Sequence, residues 1–146
     1  MLTPKADLAY LYDDQNLRQA LEKMEYHSYT AIPVIDRAGH YVGTLTEGDL
    51  LWTIKNDFAL DIKAAAHTKV ADIPRHIDNR ALPISTQIED VVYLSLDQNF
   101  VPVEDDRGIF IGIITRKTII KYYSELCISR IGQPRSPEQI YKTEEK

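Results

Sequence analysis

A chain of 146 residues that is 44% hydrophobic and 27% charged has the size and make-up of one globular domain or two fused half-domains, which excludes a disordered or fibrous protein. Its net charge of -5 opposes binding to a phosphate backbone unless basic residues gather on one face; only short basic groups occur, so nucleic acid is not an expected partner. No run reaches the length of a membrane span and the opening Met1-Leu2-Thr3-Pro4-Lys5 has no signal-peptide apolar stretch, so no membrane association and a cytoplasmic location are expected.

In chain order, residues 9–12 predict a short extended segment. Leu17, Ala20, Leu21 and Met24 then recur at helical spacing. An apolar run over residues 30–35 ends in an Asp-to-Gly turn, Asp36 to Gly39, and a second run covers residues 41–45, the pattern of a strand, a hairpin turn and a second strand. Thr46 opens a helix carrying Leu50, Leu51 and Ile54. Residues 55–69, with an Ala64-Ala65-Ala66 run, predict a connecting helix or a partly ordered linker.

The second half repeats this order. Residues 81–85 are extended; Ile88, Val91, Val92 and Leu96 form a helical stripe. Residues 101–120 align without a gap on residues 32–51, with identities at Pro33/Pro102, Val34/Val103, Asp36/Asp105, Gly39/Gly108, Gly43/Gly112 and Thr46/Thr115. Thr115 again precedes a helix, bearing Ile119, Ile120 and Tyr123. The fold class is therefore α+β: two tandem β-α-β-β-α units, residues 5–62 and 63–126, too small to bury their sheets alone and expected to cover each other with pseudo-twofold symmetry. Residues 127–146 read as a polar tail that frays.

The single cysteine, Cys127, excludes an intramolecular disulfide and reads as a packing residue. His27, His40, His67 and His76 show no metal-ligand spacing, so no metal and no cofactor are expected. With no nucleophile elbow, P-loop or dinucleotide fingerprint, the chain does not read as an enzyme.

Residues 29–36 (Tyr-Thr-Ala-Ile-Pro-Val-Ile-Asp), 43–50 (Gly-Thr-Leu-Thr-Glu-Gly-Asp-Leu), 70–73 (Val-Ala-Asp-Ile), Phe-Val-Pro-Val-Glu-Asp from Phe100 and Gly-Ile-Ile-Thr-Arg-Lys from Gly112 resemble the CBS-domain pair, or Bateman module, over roughly residues 5–126. More narrowly, residues 71–75, 100–104 and 112–117 are similar to stand-alone CBS pairs of Gram-positive bacteria, some of which bind cyclic di-AMP. The resemblance implies an adenine nucleotide in the cleft between repeats, with a Gly-x-x-Thr-x-x-Asp motif sending Thr46 toward phosphate and Asp49 toward the ribose hydroxyls. Thr-x-x-Asp also describes a helix capping box, and from these residues alone either reading stands.

The second copy carries Thr118 in place of that Asp, which puts an equivalent second site in doubt. Arg116 and Lys117 follow Thr115 at a helix start, where cations oppose the dipole; they either meet phosphate or extend into water. The resemblance assigns Tyr29, Thr30, Ala31 and Pro33, then Ile73 and Pro74, then Phe100, Val101 and Pro102, to the adenine pocket, with core strand as their ordinary reading. Arg75 and His76 lie near the same cleft, within reach of a ligand. The implied function is a sensor of AMP, ADP, ATP or cyclic di-AMP that modulates an unknown regulated protein, as a homodimer. The alternative is a ligand-free scaffold for interaction and dimerisation.

Overall fold

The computed structural model describes residues 1–132 and 135–144. Its α+β elements run β1 (Thr3–Pro4), a 3-10 turn (Lys5–Asp7), β2 (Leu11–Tyr12), α1 (Leu17–His27), β3 (Ala31–Ile35), β4 (Tyr41–Thr46), α2 (Glu47–Phe58), α3 (Ile62–Ala65), a 3-10 turn (Val70–Asp72), β5 (Leu82–Pro83), α4 (Ile88–Leu94), β6 (Phe100–Glu104), β7 (Phe110–Thr115), α5 (Arg116–Ile131) and α6 (Pro137–Glu144). One sheet has the order β2-β3-β4 and the other β1-β7-β6-β5.

The repeat is visible in local chemistry. Asp36 accepts hydrogen bonds from the N–H groups of Ala38 and His40, and Asp105 from those of Arg107 and Ile109. Each aspartate thereby closes its hairpin through Gly39 or Gly108, both with positive φ. Both hairpins carry a register shift at the equivalent step, Val34/Ile35 and Val103/Glu104.

The two units exchange their leading segments. β1, at the head of the first repeat, pairs antiparallel with β7 of the second. The approach is so close that a Cβ on Gly112 would lie 2.2 Å from the Thr3 carbonyl oxygen. In return Ala65, Val70 and Ile73, read from the sequence as part of the second unit, complete the buried core around Leu11, Leu17, Ile32 and Leu50. Backbone bonds from Leu17 N–H to Thr68 O (2.8 Å) and Val70 N–H to Gln15 O (2.7 Å) hold them there. The second core is smaller, with Val91, Val101 and Ile119 at its centre. The sheets meet at an antiparallel bridge between His40 and Ile109, beside which the Tyr41 and Phe110 rings stack 6.1 Å apart.

Four sequence expectations need correction. The stretch 55–69 is not one connecting helix: α2 runs on to Phe58, Ala59 and Leu60 take left-handed backbone, and only the single turn α3 follows. Helix α4 ends at Leu94, so Leu96 falls off the buried stripe and is 69% exposed. Beyond Leu126 the chain is not a plain tail, because α5 continues to Ile131 and α6 follows; residues 133, 134, 145 and 146 lie outside the described residues. Cys127 is exposed on α5 rather than packed.

Candidate functional site

Thr46 caps α2 because its hydroxyl accepts the Asp49 N–H (3.1 Å) while Asp49 Oδ2 accepts the Thr46 N–H (2.9 Å), a complete capping box. Asp49 does more than cap. Its side chain is 1% exposed, and Oδ1 accepts both the backbone N–H of His76 (3.0 Å) and the His76 ring Nδ1–H (2.6 Å). Burial by itself raises the Asp49 pKa; the His76 ring and the Thr46 and His76 donors outweigh it, and the carboxyl is held below the usual 3.8.

The equivalent junction of the second repeat is built from hydroxyls. Thr115 caps α5 by accepting the Thr118 N–H (3.2 Å), and the two hydroxyls bond each other at 2.7 Å. A cavity of about 310 Å³ opens beside it. Thr3, Asp7, Leu8 and Ala9 of the N-terminal segment form one wall, residues 28–31 with Pro33 a second, and Asn99, Phe100, Ile113 and Thr115 a third. Asp7 is the one charged residue among these lining residues. The lining thus combines apolar surface at Leu8, Ala9, Ala31, Phe100 and Ile113 with hydroxyls and an amide at Thr3, Thr30, Thr115 and Asn99, the mixture suited to a flat heterocycle with a polar appendage.

Of the residues selected from sequence, Tyr29, Thr30, Ala31, Pro33, Phe100 and Thr115 meet in this cavity, with Thr118 behind Thr115. Thr46, Asp49 and Arg75 lie at the other junction, where Arg75 borders a recess of about 220 Å³ with Val42, Gly43, Thr44 and Asn79. Pro74 is exposed beside Arg75, and Ile73, Val101 and Pro102 are buried. Arg116 turns away from the cavity: its Nε donates to Ser95 O (2.8 Å) and its guanidinium reaches Leu96 O. It therefore meets the carbonyl end of α4, which explains a cation at the start of α5 without a phosphate. Lys117 is exposed.

Sequence reasoning missed Thr3, Asp7, Leu8 and Ala9. The signal was available, since Ala6-Asp7-Leu8 echoes Ala71-Asp72-Ile73 and each triplet precedes its repeat by a 3-10 turn.

Two larger surface grooves lie outside the cleft. One, of about 560 Å³, runs between α1 and α2 past Leu21, Met24, Leu50, Leu51 and Ile54. The other, of about 440 Å³, occupies the equivalent place between α4 and α5 past Val92, Leu96, Ile119, Ile120 and Tyr123. Among the described residues no helix is long and apolar enough to cross a membrane.

Two β-α-β-β-α units sharing sheet edges, with a cleft at a strand-to-helix junction, define a tandem-repeat α+β domain. Residues 2–56 and 70–125 each match the CBS domain, and the chain belongs to the CBS-domain family. Cyclic di-AMP receptor B of Bacillus subtilis is 29% identical over 119 residues, spanning 78% of this chain and 77% of that protein. A CBS domain protein from Streptococcus pneumoniae shares the fold with a TM-score of 0.76 and 32% identity, over 86% of this chain and 84% of that one. CBSX2 in complex with AMP gives 0.68 and 29%, over 88% and 95%.

Proposed function

We propose that the chain is a regulatory sensor: an adenine nucleotide, AMP, ADP, ATP or cyclic di-AMP, enters the cleft cavity and changes the affinity of the chain for a partner protein. The observation that carries this reading is the 310 Å³ cavity lined by both repeats, since a ligand there touches β1, β3, β6 and β7 at once and can bias how the repeats pack. Its apolar walls suit a purine, and its hydroxyls and the Asn99 amide suit base and sugar edges. The start of α5 beside exposed Lys117 suits a phosphate. A relative named as a cyclic di-AMP receptor and one solved with AMP support the ligand class. The activity is binding rather than turnover, and by linkage the partner must change nucleotide affinity by the same factor. The cytoplasm is the compartment this implies, consistent with an unpaired exposed cysteine.

The test is thermal unfolding with AMP, ADP, ATP, cyclic di-AMP, cyclic di-GMP and GTP. A ligand at 100 times its Kd adds about 2.7 kcal/mol, so the cognate adenine nucleotide should raise the Tm and the guanine nucleotides leave it unchanged. No shift with any of them moves the reading to a ligand-free scaffold.

The equivalent outer grooves support a homodimer. Leu51 and Trp52 on one side and Leu96 and Ile120 on the other are exposed, an apolar surface that association covers. Sedimentation should give a dimer for the wild type and a monomer for Leu51→Lys with Ile120→Lys; an unchanged dimer places the interface elsewhere.

A further inference from the structure

We propose that residues 75–80, between the repeats, form an autoinhibitory strap: His76 occupies the Asp49 carboxylate and keeps the β4–α2 junction closed until a nucleotide displaces it. The inference rests on the sensor reading, and on taking the β4–α2 and β7–α5 junctions as equivalent half-sites.

Three anchors fasten the strap across β4. His76 gives Asp49 Oδ1 both its backbone and ring N–H, at 3.0 and 2.6 Å. Arg75 lies flat on the bare backbone of Gly43, where a Cβ would stand 2.7 Å from its Nε. The Tyr41 hydroxyl donates to Asn79 O at 2.6 Å and shares a hydrogen bond with Thr44 at 2.7 Å. The first repeat has no such segment: only Ala9 and Tyr10 separate Leu8 from β2, whereas residues 74–81 separate Ile73 from β5. The extra chain covers the one junction that carries the full Gly43-Thr46-Asp49 motif.

With Oδ2 bonded to Thr46 N–H and Oδ1 holding two donors, Asp49 lacks the two free acceptor positions that an incoming hydroxyl pair needs unless it gives up His76. The closed strap is not fully satisfied, because the Asn79 side-chain oxygen is buried without a hydrogen-bond partner, a cost that opening recovers through hydration. The strap also continues into β5, the edge of the sheet that carries β6 and β7, so its release is felt at the open cavity. The two half-sites therefore differ: the Thr115 side is accessible and the Asp49 side conditional.

The experiment is isothermal titration of AMP, and separately of cyclic di-AMP, into wild type, His76→Ala and Tyr41→Phe. Tyr41→Phe frees the far end of the strap while keeping the ring stack, and so covers a folding defect in His76→Ala. The wild type should bind through one accessible site; His76→Ala should gain a second site or tighten it by about tenfold or more, the effect of removing one charge-assisted competitor. Tyr41→Phe should move the same way by a smaller factor, and adding Asp49→Asn to His76→Ala should abolish only the gained site. Identical single-site isotherms for wild type and both strap variants overturn the strap and leave the open-cavity reading intact. If neither AMP nor cyclic di-AMP binds any of these proteins, the strap is overturned together with the reading of the cleft as an AMP or cyclic di-AMP site.

Discussion

Phe110→Ala lowers the unfolding free energy by about 3–5 kcal/mol, the cost of removing a buried phenyl group with incomplete collapse of the space it leaves. Phe110 is 1% exposed and among the largest fully buried side chains. It opens β7, its ring stacks on Tyr41 of the first repeat at an interplanar angle of 30°, and its N–H donates to Gly39 O at 2.9 Å. Removing the ring thus withdraws apolar contact from both repeats at the seam that joins the sheets. Tyr41 makes the seam hard to refill, because its phenol is tied to Thr44 and Asn79. Burial, partly offset by the Thr44 bond and Arg75, pushes its pKa up to about 12, so it stays neutral and in place. Urea unfolding followed by tyrosine fluorescence and far-UV dichroism should show the midpoint falling, with the two probes still coincident if the repeats unfold as one unit. Separated transitions locate the cooperativity inside each repeat, and a loss under about 1.5 kcal/mol means that Tyr41 repacks into the space.

What the sequence revealed and what it hid divide along a physical line. The hairpins were legible because Asp36 and Asp105 bond to N–H groups two and four residues on, chemistry contained within the turn. The starts of α2 and α5 were legible for the same reason, Thr46 and Thr115 each capping three residues ahead. Strand β1 was not, since Thr3–Pro4 has no period to read and exists only by pairing with Gly112 and Ile113. The cavity was half legible: the family resemblance points to Ala31 and Phe100, while the wall from Thr3 to Ala9 depends on that long-range pairing. Arg116 reads from sequence as meeting phosphate or water, and its partners, the Ser95 and Leu96 carbonyls, become available only where α4 stops. The sequence puts His76 near the cleft, yet no spacing rule links it to a carboxylate so distant in the chain.

That carboxylate sets the second large effect. Asp49→Ala removes one half of a capping box, about 1 kcal/mol, and leaves the His76 donors without a charged acceptor, about 1.5–3 kcal/mol more, so a total loss of about 2.5–4 kcal/mol is expected. The substitution therefore weakens the fold as well as any nucleotide contact, and a binding loss in Asp49→Ala means little until the fraction folded is known; Asp49→Asn, which keeps the size of the side chain and one of its two acceptor oxygens, separates the two. The pH dependence follows from the direction of the shift. The folded carboxyl titrates below its unfolded value of 3.8, so its stabilisation is fully present above that value and is lost as the pH falls through the lower folded pKa. Asp36 and Asp105 are also lowered, by their hairpin N–H groups above all, and titrate in the same direction. Wild type and Asp49→Asn must therefore be compared from pH 6 downward by chemical unfolding. The gap between their stabilities should be constant near neutrality and close in the acid range as Asp49 takes up its proton. A gap that persists unchanged to the acid limit assigns the cost of the substitution to packing and removes charge from the role of Asp49.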